Sequence, residues 1–361
     1  MAKKIGTITF HRADNYGAVL QTYALQQALL AMGADTEIID YDAPYISSGY
    51  KAIRTDSLKR FIKSLLTYGD VSAKRKAFYQ FRSRFFKLSP PVTKKNLPEL
   101  AKKYDAVVTG SDQVWNGTLT NKDGSYFLDF VEPEKRYSYA ASFGISKIPA
   151  EDVDFYKEKL KDYHHYSTRE ETGARLLKEL VGKEAVVDLD PVFLPTVDQW
   201  KKMIHPINRK PYIFIYLPAP HCIPLAQKLA KERTLGIVYI AYDKSVLHPG
   251  KNLKETIIDV SPDDFLSLIY HASCVVTGSF HATVFSAIFH KEFYAEAPAR
   301  VGSRITDVLK ILSLEDRLIT GNELKPMKSI DWKAVDERVK ERRELSLKHL
   351  SESLGLNNSE E

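Results

Sequence analysis

His281 is the residue whose type and position in this sequence best suit proton-transfer chemistry. It follows the β-branched run Val275-Val276-Thr277 and the dipeptide Gly278-Ser279, a pattern typical of a strand that ends in a turn. Because imidazole changes its charge near neutral pH, a histidine at such a strand end can act as a general acid or base. The alternative is a histidine at a helix start that is satisfied by local hydrogen bonds.

Polar residues also follow the first predicted strand, residues 5–10. The loop that we predict over residues 11–17 contains Asn15 and Gly17. Glycine lets the backbone approach a ligand closely, so this loop is a candidate binding site. Asparagine is also a preferred helix N-cap, and capping is the alternative role for Asn15.

Both candidate sites need elements that hold them at the ends of strands. Residues 18–30 have apolar side chains at helical spacing, Gly33 ends that pattern, and residues 36–41 have the pattern of a second strand. A strand, a helix and a strand within about forty residues form a βαβ unit. We therefore expect a parallel sheet.

One turn occurs twice in the sequence. The run Val107-Val108-Thr109-Gly110-Ser111 recurs as Val275-Val276-Thr277-Gly278-Ser279, and each copy follows a helix-like stretch and precedes a predicted helix. Chance or shared turn chemistry could produce so short a repeat, but the matching context favours a repeated architecture. The repeat predicts an α/β fold of two Rossmann-like, doubly wound domains with equivalent loops beyond the carboxyl ends of their strands.

The domain boundaries follow from the polar segments. We place the first domain at residues 1–197, with a basic helical insertion at 51–90, and the second domain at residues 198–330. The Lys-rich stretch at the start of the second domain precedes a new predicted strand at 211–216. Residues 331–361 form a C-terminal helix and tail, and their apolar stripe predicts a helix that packs back across the domains.

The composition is that of a globular protein. The chain has 361 residues, of which 44% are hydrophobic and 27% are charged, and it has two cysteines. No apolar run has the length of a membrane helix, and the first residues lack the apolar core of a signal peptide. Two cysteines do not make a disulfide framework, so we expect a cytoplasmic protein.

The positive charge is concentrated in residues 51–87. This segment has eleven Lys or Arg and two acids, a net charge of +9 against +6 for the whole chain. Its interleaved apolar residues have helical spacing, which predicts two surface helices with a solvated basic face. The alternative is a contact surface for an anionic glycan, a lipid-linked substrate or membrane headgroups. No nucleic-acid-binding motif accompanies the charge.

No pattern indicates a metal or an organic cofactor. His164 and His165 are adjacent, which is not a metal-ligand spacing. The sequence has no Walker loop and no GxGxxG motif, so nucleotide-triphosphate chemistry and dinucleotide binding have no support. We expect neither a metal nor a cofactor.

Five motifs are weak singly but specific as an ordered set. They are Thr9-Phe10-His11-Arg12, Asn15-Tyr16-Gly17-Ala18-Val19-Leu20-Gln21, Gly110-Ser111-Asp112-Gln113-Val114-Trp115-Asn116, Tyr139-Ala140-Ala141-Ser142-Phe143-Gly144 and Ser279-Phe280-His281. With them the sequence resembles the polysaccharide pyruvyl transferase family from about residue 5 to about residue 310. The resemblance implies a GT-B-like architecture, with two Rossmann-like domains facing a cleft.

The resemblance also implies a chemistry. The donor would be phosphoenolpyruvate, and the acceptor a pair of hydroxyls on a glycan or lipid-linked saccharide. The products would be phosphate and a pyruvyl ketal of a cell-surface polysaccharide or its precursor. Protonation of the donor's methylene carbon makes attack at its middle carbon easier, and His281 is the candidate acid. Arg169 is implied as an anion-binding arginine, with an ion pair to a neighbouring acid as the alternative.

The sequence departs from the family at one motif. Family members commonly carry Arg-Leu-His where this chain has Ser279-Phe280-His281. We predict that Arg304, at the start of a predicted helix, supplies the missing charge, with Arg300 as a second candidate. Ordinary surface charge is the alternative for both. The remaining predicted donor-binding residues are Asn15, Gly17, Ser142 and Ser279.

Asp112, Trp115 and Asn116 are the predicted acceptor-binding residues. An indole face can stack on a pyranose ring, and an amide can hydrogen-bond to sugar hydroxyls. Core packing is the alternative for Trp115. Helix capping is the alternative for Asp112 and its neighbour Ser111.

Two other functions are alternatives. A GT-B glycosyltransferase with a nucleotide-sugar donor would share the fold, because one scaffold hosts many chemistries. A non-catalytic glycan-binding relative is consistent with serine in place of the family's arginine at position 279. Binding of a nucleotide sugar rather than phosphoenolpyruvate would distinguish the glycosyltransferase from the pyruvyl transferase. Absence of turnover with retained glycan binding would support the non-catalytic relative.

Overall fold

The computed structural model describes residues 2–49, 53, 57–241, 255–258, 260–298, 303–321 and 328–356. The chain forms two compact units. Unit 1 comprises Met1–Tyr50, Phe85–Pro195 and Lys340–Glu361, and unit 2 comprises Lys51–Arg84 and Thr196–Val339. From the sequence we expected the basic insertion 51–90 in the first domain, but residues 51–84 group with unit 2. Arg84, the last residue of this segment, forms an ion pair with Asp263, which also belongs to unit 2.

The regular elements alternate between helices and strands over most of the chain. Up to residue 187 they are β1 (Lys4–Ile8), α1 (Tyr16–Ala31), β2 (Asp35–Ile38), α2 (Pro44–Gly49), α3 (Leu58–Leu66), α4 (Tyr68–Phe85), α5 (Leu97–Ala101), β3 (Ala106–Thr109), α6 (Gly117–Thr120), β4 (Arg136–Ser138), α7 (Val153–Leu160), β5 (Ser167–Thr168), α8 (Glu171–Val181) and β6 (Val186–Val187).

The second half continues the alternation. Its elements are α9 (Val197–Lys201), β7 (Tyr212–Tyr216), α10 (Cys222–Arg233), β8 (Gly236–Ile240), β9 (Glu255–Ile257), α11 (Pro262–His271), β10 (Cys274–Thr277), α12 (Phe280–Ile288), β11 (Phe293–Ala295), α13 (Ser303–Leu312) and α14 (Trp332–Leu354). Short 3-10 helices lie at Lys94–Asn96, Gly124–Phe127, Pro133–Lys135, Ala150–Asp152, Pro191–Phe193 and Glu315–Arg317.

Unit 1 is built on a parallel sheet in the order β2-β1-β3-β4. A parallel pair, β5 and β6, extends it through single bridges from Tyr137 to His165 and from Ala141 to Thr168. The central strand β3 (Ala106-Val107-Val108-Thr109) is mostly apolar and buried throughout, as expected where helices cover both faces of a parallel sheet. Helix α1 is buried almost throughout its length, as its nearly continuous apolar sequence requires.

Unit 2 has a parallel sheet in the order β11-β10-β7-β8-β9. The repeated turn occupies equivalent places in the two units, because β3 and β10 are each the strand beside the first strand of their sheet. The two copies differ in the chain that comes after the turn. Helix α12 begins directly after Ser279, but the chain after Ser111 stays irregular until α6 begins at Gly117. The predicted helix start at the first copy is therefore wrong.

The C-terminal helix contributes to both units. Its first residues, up to Val339, belong to unit 2, and the rest belong to unit 1. In unit 1, Leu350 and Leu354 pack into a core cluster with residues of α1 and β3. The Ser346 hydroxyl accepts a hydrogen bond of 3.0 Å from the backbone N–H of Leu189.

Candidate active site

The strand order of unit 1 reverses between β1 and β3, which makes this the topological switch point of the sheet. The chain leaves β1 toward β2 on one side and returns to β3 on the other, so the loops after these two strands diverge. Ligands of open α/β sheets bind at such points, beyond the carboxyl ends of the strands. Residues 9–15 follow β1 and residues 110–116 follow β3, so two of the family motifs meet here.

A buried network fixes these two loops. The Gln21 side chain accepts a hydrogen bond from the backbone N–H of Ser111 at 3.1 Å and donates one to the Thr9 hydroxyl at 2.9 Å. The Ser111 hydroxyl donates to the carbonyl of Ala140 at 2.7 Å. Gln21 and Ser111 are fully buried. Ser111 is therefore not a helix cap, and the role of Gln21 as a link between loops was not predicted.

Asn15 and Gly17 lie where helix α1 begins. The Asn15 side chain accepts a hydrogen bond of 3.1 Å from the backbone N–H of Ala18, so Asn15 is the N-cap, the alternative role. The predicted loop to residue 17 is too long, because Tyr16 and Gly17 already form the first turn of α1. Gly17 therefore lies at the N-terminus of the helix rather than in the loop.

The loop after β3 positions Asp112 and Asn116. Asp112 has a positive φ of 73°, and its carboxylate accepts from the N–H of Gln113 at 2.9 Å. It does not cap a helix. Asn116 does cap one, since its side-chain oxygen accepts from the N–H groups of Thr118 at 3.1 Å and Leu119 at 3.2 Å. Both side chains are mostly buried, and Asn116 is 6% exposed.

Trp115 has no exposed face. Its relative exposure is 0%, and its ring packs against Phe143 at 5.3 Å and Tyr163 at 5.8 Å between centroids. Phe143 in turn packs against Tyr156. The predicted stacking of Trp115 on a sugar is therefore wrong in this structure, and the alternative of core packing is observed.

Arg169 lies among three carboxylates. It donates to Asp190 at 2.7 Å and to Glu170 at 3.1 Å, and its guanidinium lies 4.0 Å from Asp112. Burial acts to lower the pKa of Arg169, but Glu170, Asp190 and Asp112 together raise it above its ordinary value. Ser142 joins the same group, since its hydroxyl donates to Glu170 at 2.9 Å.

The net charge of Arg169 and its carboxylate neighbours determines whether the cluster attracts an anion. One guanidinium faces three carboxylates, so the cluster is acidic as a whole when all four groups are ionised. An anion gains little from an arginine whose charge is already compensated. The ion-pair alternative for Arg169 is thus observed, and hydroxyl groups that donate to carboxylates suit this cluster better than phosphate.

A second, partly buried ion pair supports the loop after β1, with a histidine hydrogen-bonded to the same carboxylate. His11 Nε2 lies 2.9 Å from the Asp40 carboxylate, and Arg12 donates to the same oxygen at 2.7 Å. Burial acts to raise the pKa of Asp40, but the hydrogen bonds from His11 and Arg12 outweigh it and hold that pKa well below its usual range. His11 and Arg12 therefore tie this loop to the segment after β2.

Unit 2 has the equivalent diverging point between β7 and β10. Chain connections run from β7 to β8 and β9 on one side, and β10 and β11 lie on the other. Residues 217–221 follow β7, and Gly278 to His281 follow β10. The backbone N–H of Gly278 donates to the carbonyl of Leu217 at 3.0 Å, which holds the two loops together.

His281 lies at this point in the first turn of α12. Ser279 is the N-cap of that helix, and its hydroxyl accepts from the N–H of Ala282 at 3.4 Å. Ser279 is 7% and His281 is 8% exposed. The N-terminus of α12, with its positive dipole end, thus lies at the carboxyl edge of the sheet beside His281.

Arg304 is the second residue of α13, a half-buried position close to that predicted from sequence. Arg300 lies outside the described residues. Arg304 therefore lies at a helix start, and its compensation for the family's arginine stays a prediction.

His221 and Glu296 form a pair that was not predicted from the sequence. The His221 ring donates from Nδ1 to Glu296 Oε1 at 2.7 Å, and its backbone N–H donates to Oε2 at 2.8 Å. His221 follows β7 and Glu296 follows β11. The two residues are 75 positions apart with no local pattern that links them, so only the parallel pairing of the strands could have indicated the contact.

Comparison with known proteins identifies the family of the chain. The family model for polysaccharide pyruvyl transferase matches residues 15–298, which is most of the sequence. The chain belongs to this family. Its members are transferases, as the resemblance implied. No curated protein matches the sequence significantly.

Solved structures show the fold. S. aureus MnaA in complex with UDP has a TM-score of 0.51 and 14% identity, covering 99% of this chain and 99% of that chain. A Listeria monocytogenes protein described as a UDP-N-acetylglucosamine 2-epimerase has a TM-score of 0.50 and 11% identity, covering 99% and 92%. At these identities the similarity concerns the fold alone. The predicted α/β fold of GT-B type is confirmed.

Two further observations concern metal binding and membrane-spanning helices. Within the described ranges, no cluster of three or more His, Cys, Asp or Glu side chains could hold a metal ion. In the same part of the chain, every helix is too short or too polar to span a bilayer.

Proposed function

We propose that this protein transfers the pyruvyl group of phosphoenolpyruvate to two hydroxyls of a saccharide, and so forms a cyclic ketal and phosphate. The observation that carries the proposal is the position of His281. It is a mostly buried imidazole in the first turn of a helix, at the diverging point of a parallel sheet, in a chain of the pyruvyl transferase family. The acceptor would belong to a cell-surface polysaccharide made in the cytoplasm.

The reaction needs a proton at the donor's methylene carbon. Protonation there develops positive charge on the middle carbon, which the first hydroxyl then attacks. His281 is suited to this step because a mostly buried histidine can deliver a proton with little competition from water.

The donor's phosphate and carboxylate need positive partners. The N-terminus of α12 supplies backbone N–H groups and the positive end of its dipole beside Ser279. Arg304 adds a guanidinium at the start of α13. We assign donor binding to Ser279 and Arg304, and compensation for the family's arginine to Arg304. If Arg304→Ala binds phosphoenolpyruvate as tightly as the wild type, this assignment is wrong.

The acidic cluster of unit 1 suits the acceptor. Glu170 and Asp190 are buried against Arg169, whereas the Asp112 carboxylate beside them is 13% exposed, and sugar hydroxyls donate hydrogen bonds to such an oxygen. We therefore propose that Asp112 and Asn116 contribute to saccharide recognition. Ser142, which was predicted to bind the donor, is fully buried and donates to Glu170, so it holds that carboxylate in place instead. Arg169 holds the carboxylates in place, and the helix N-terminus at Asn15 and Gly17 lies beside the same loops.

A nucleotide-sugar transferase is the second candidate. Serine at position 279 and the similarity in fold to a protein solved with UDP favour it. The two candidates differ in their donor, because a nucleotide sugar would be bound and phosphoenolpyruvate would not. A glycan-binding relative would bind neither donor.

Product analysis tests the proposal. Wild-type protein is incubated with phosphoenolpyruvate and a panel of hexopyranosides, and phosphate release and ketal formation are followed, the latter by mass spectrometry. We expect both products, and loss of both in His281→Ala. His290→Ala is the matched control, since His290 lies at the other end of α12. Ketal formation that persists in His281→Ala would remove His281 from the mechanism.

A further inference from the structure

The pair formed by His221 and Glu296 has the geometry of a proton-transfer dyad. Glu296 is 8% exposed and accepts from the ring of His221 through one oxygen and from its backbone through the other. Because a carboxylate can only accept, the proton of a neutral His221 ring lies on Nδ1. Nε2 is then left as an acceptor on a side chain that is 38% exposed.

The position of the dyad links it to His281. Residues 217–221 pass directly over the end of β10, so closely that a Cβ on Gly278 would lie 2.6 Å from the carbonyl oxygen of Leu217. Glu296 follows β11 on the other side of β10. The dyad therefore spans the strand end from which Ser279 and His281 project, at the same carboxyl edge of the sheet.

We infer that His221 is the second proton carrier of the reaction and that Glu296 is its positioning residue. The inference rests on the proposed function. Ketal formation needs two proton-transfer groups, because a proton must reach the methylene carbon while another leaves the attacking hydroxyl. A carboxylate behind the imidazole fixes its tautomer and stabilises the imidazolium that forms.

The protons balance over two steps. In the first, His281 protonates the methylene carbon, the first hydroxyl oxygen bonds to the middle carbon, and His221 Nε2 takes the hydroxyl proton. In the second, the bond from the middle carbon to the phosphate oxygen breaks and His221 gives its proton to that oxygen. The second hydroxyl bonds to the same carbon and returns a proton to His281. Both histidines end as they began.

Glu296 also has a structural role. Its Oε2 accepts from the N–H of His221 at the start of α10 and lies 3.5 Å from the Cys222 sulfur. Burial raises the pKa of the Cys222 thiol to about 12, so this cysteine is not the reactive group. The test must therefore separate helix capping from proton transfer.

Site-resolved modification of histidine tests the inference without an acceptor. Diethyl pyrocarbonate modifies accessible imidazoles, and mass spectrometry gives the rate at each one. His290 is the internal control, since it is 39% exposed and lies 2.8 Å from the Asp336 carboxylate. At phosphoenolpyruvate near ten times its Kd, we expect modification of His221 to slow about tenfold, because occupancy leaves about a tenth of the sites free. The rate at His290 should not change.

The modification rate at His221 and the melting temperature together distinguish failure of the dyad from failure of the proposed function. If phosphoenolpyruvate raises the melting temperature but leaves the rate at His221 unchanged, the dyad is wrong and the proposed function stands. If it changes neither, the proposed function fails, and the dyad fails with it.

Two variants test the roles of the pair in turnover. In His221→Ala we expect kcat to fall about 10²- to 10⁴-fold with the donor KM retained, and added imidazole to restore part of it. In Glu296→Gln we expect a fall of about 10- to 100-fold. If Glu296 only caps α10, Glu296→Gln lowers the melting temperature and leaves kcat unchanged.

Helix α3 has an apolar face that points outward. Phe61, Ile62, Leu65 and Leu66 lie on one side of the helix at helical spacing and are 36%, 50%, 51% and 83% exposed. Polar Ser64 is buried at 6% exposure. This is the reverse of the pattern of a helix that packs on its own core. We name these four exposed residues the α3 surface.

We propose that the α3 surface docks on an anionic lipid bilayer. Residues 57–87 contain nine Lys or Arg and one acid. Lys74 is buried, and Arg84 and Lys87 form ion pairs with Asp263 and Asp35, so the basic character of the segment rests on the other six. A helix with exposed large apolar residues and basic neighbours binds in the headgroup region of a bilayer. Burial of the apolar side chains and attraction of the basic ones to anionic lipids both favour this binding. The positive charge of the segment favours an anionic lipid surface over a neutral one. A lipid-linked acceptor would lie in such a membrane.

Vesicle sedimentation tests the α3 surface. We expect the full-length protein to sediment with vesicles of phosphatidylcholine and phosphatidylglycerol, less so at high salt, and not with phosphatidylcholine alone. The double variant Leu65→Ser and Leu66→Ser should lose this binding. Leu345→Ser, at a residue of α14 that is 41% exposed, is the control and should retain it. Equal binding by the wild type and the double variant would overturn the proposal, as would absence of binding by the wild type.

Discussion

At the scale of single residues, burial and pairing decide which charged groups are available to a ligand. The family resemblance implies an anion-binding role for Arg169, with an ion pair as the alternative. In the structure Arg169 is 5% exposed and has three carboxylate neighbours, which favours the ion pair. His281 has different surroundings. It lies at a strand end beside a helix N-terminus, where an anionic ligand is stabilised.

The role of Arg169 gives the first prediction. Arg169→Ala leaves three carboxylates without their shared cation, so we expect a loss of about 3–5 kcal/mol in the free energy of unfolding. Urea denaturation measures it. Arg175→Ala is the control, because Arg175 forms an exposed pair with Glu179 at 3.1 Å and should cost only about 0–1 kcal/mol. Arg169→Ala with unchanged stability but weaker phosphoenolpyruvate binding would restore the donor-binding role.

Asp40 gives a prediction about pH. Its pKa is lowered in the folded protein, so its contribution to stability is complete above the unfolded value of about 3.9 and is lost as pH falls below it. We expect Asp40→Asn to be less stable than wild type at pH 7 and to lose less further stability at pH 3. Asp42→Asn, at a half-exposed partner of Arg12, is the control. Parallel losses of stability in wild type and Asp40→Asn on acidification would contradict the assignment.

At the scale of elements, the N-terminus of α12 is the feature on which the proposed donor site depends. Ser279 caps this helix and accepts from Ala282 at 3.4 Å. Family members commonly have arginine at this position, so the substitution exchanges a direct positive charge for a helix cap. Under the proposed function, the helix dipole and Arg304 would carry the attraction for the donor.

The cap gives a prediction for this element. Ser279→Ala should lower stability by about 0.5–2 kcal/mol, whereas Ser279→Gly should cost only about 0.3 kcal/mol. Thermal unfolding of the two variants measures the difference. Equal stability of Ser279→Ala and wild type would show that the long hydrogen bond to Ala282 contributes nothing.

At the scale of the whole molecule, local sequence patterns predicted more of the fold than of the site. Apolar strands and helices of regular spacing indicated the βαβ units, and the repeated turn indicated the second sheet. Contacts between residues distant in sequence were not predictable in this way. Glu296 lies 75 residues beyond His221, and Asp190 lies 21 beyond Arg169, with no periodicity that links either pair. The grouping of residues 51–84 with unit 2 depends on such distant contacts too.

Donor identity is the central claim for the molecule as a whole, and direct titration tests it. Calorimetry compares phosphoenolpyruvate, inorganic phosphate and UDP-N-acetylglucosamine as ligands of wild type, His281→Ala and His290→Ala. We predict that phosphoenolpyruvate binds more tightly than phosphate, that His281→Ala weakens it and that His290→Ala does not. Binding of the nucleotide sugar without binding of phosphoenolpyruvate would contradict the claim and place this chain among nucleotide-sugar-dependent enzymes.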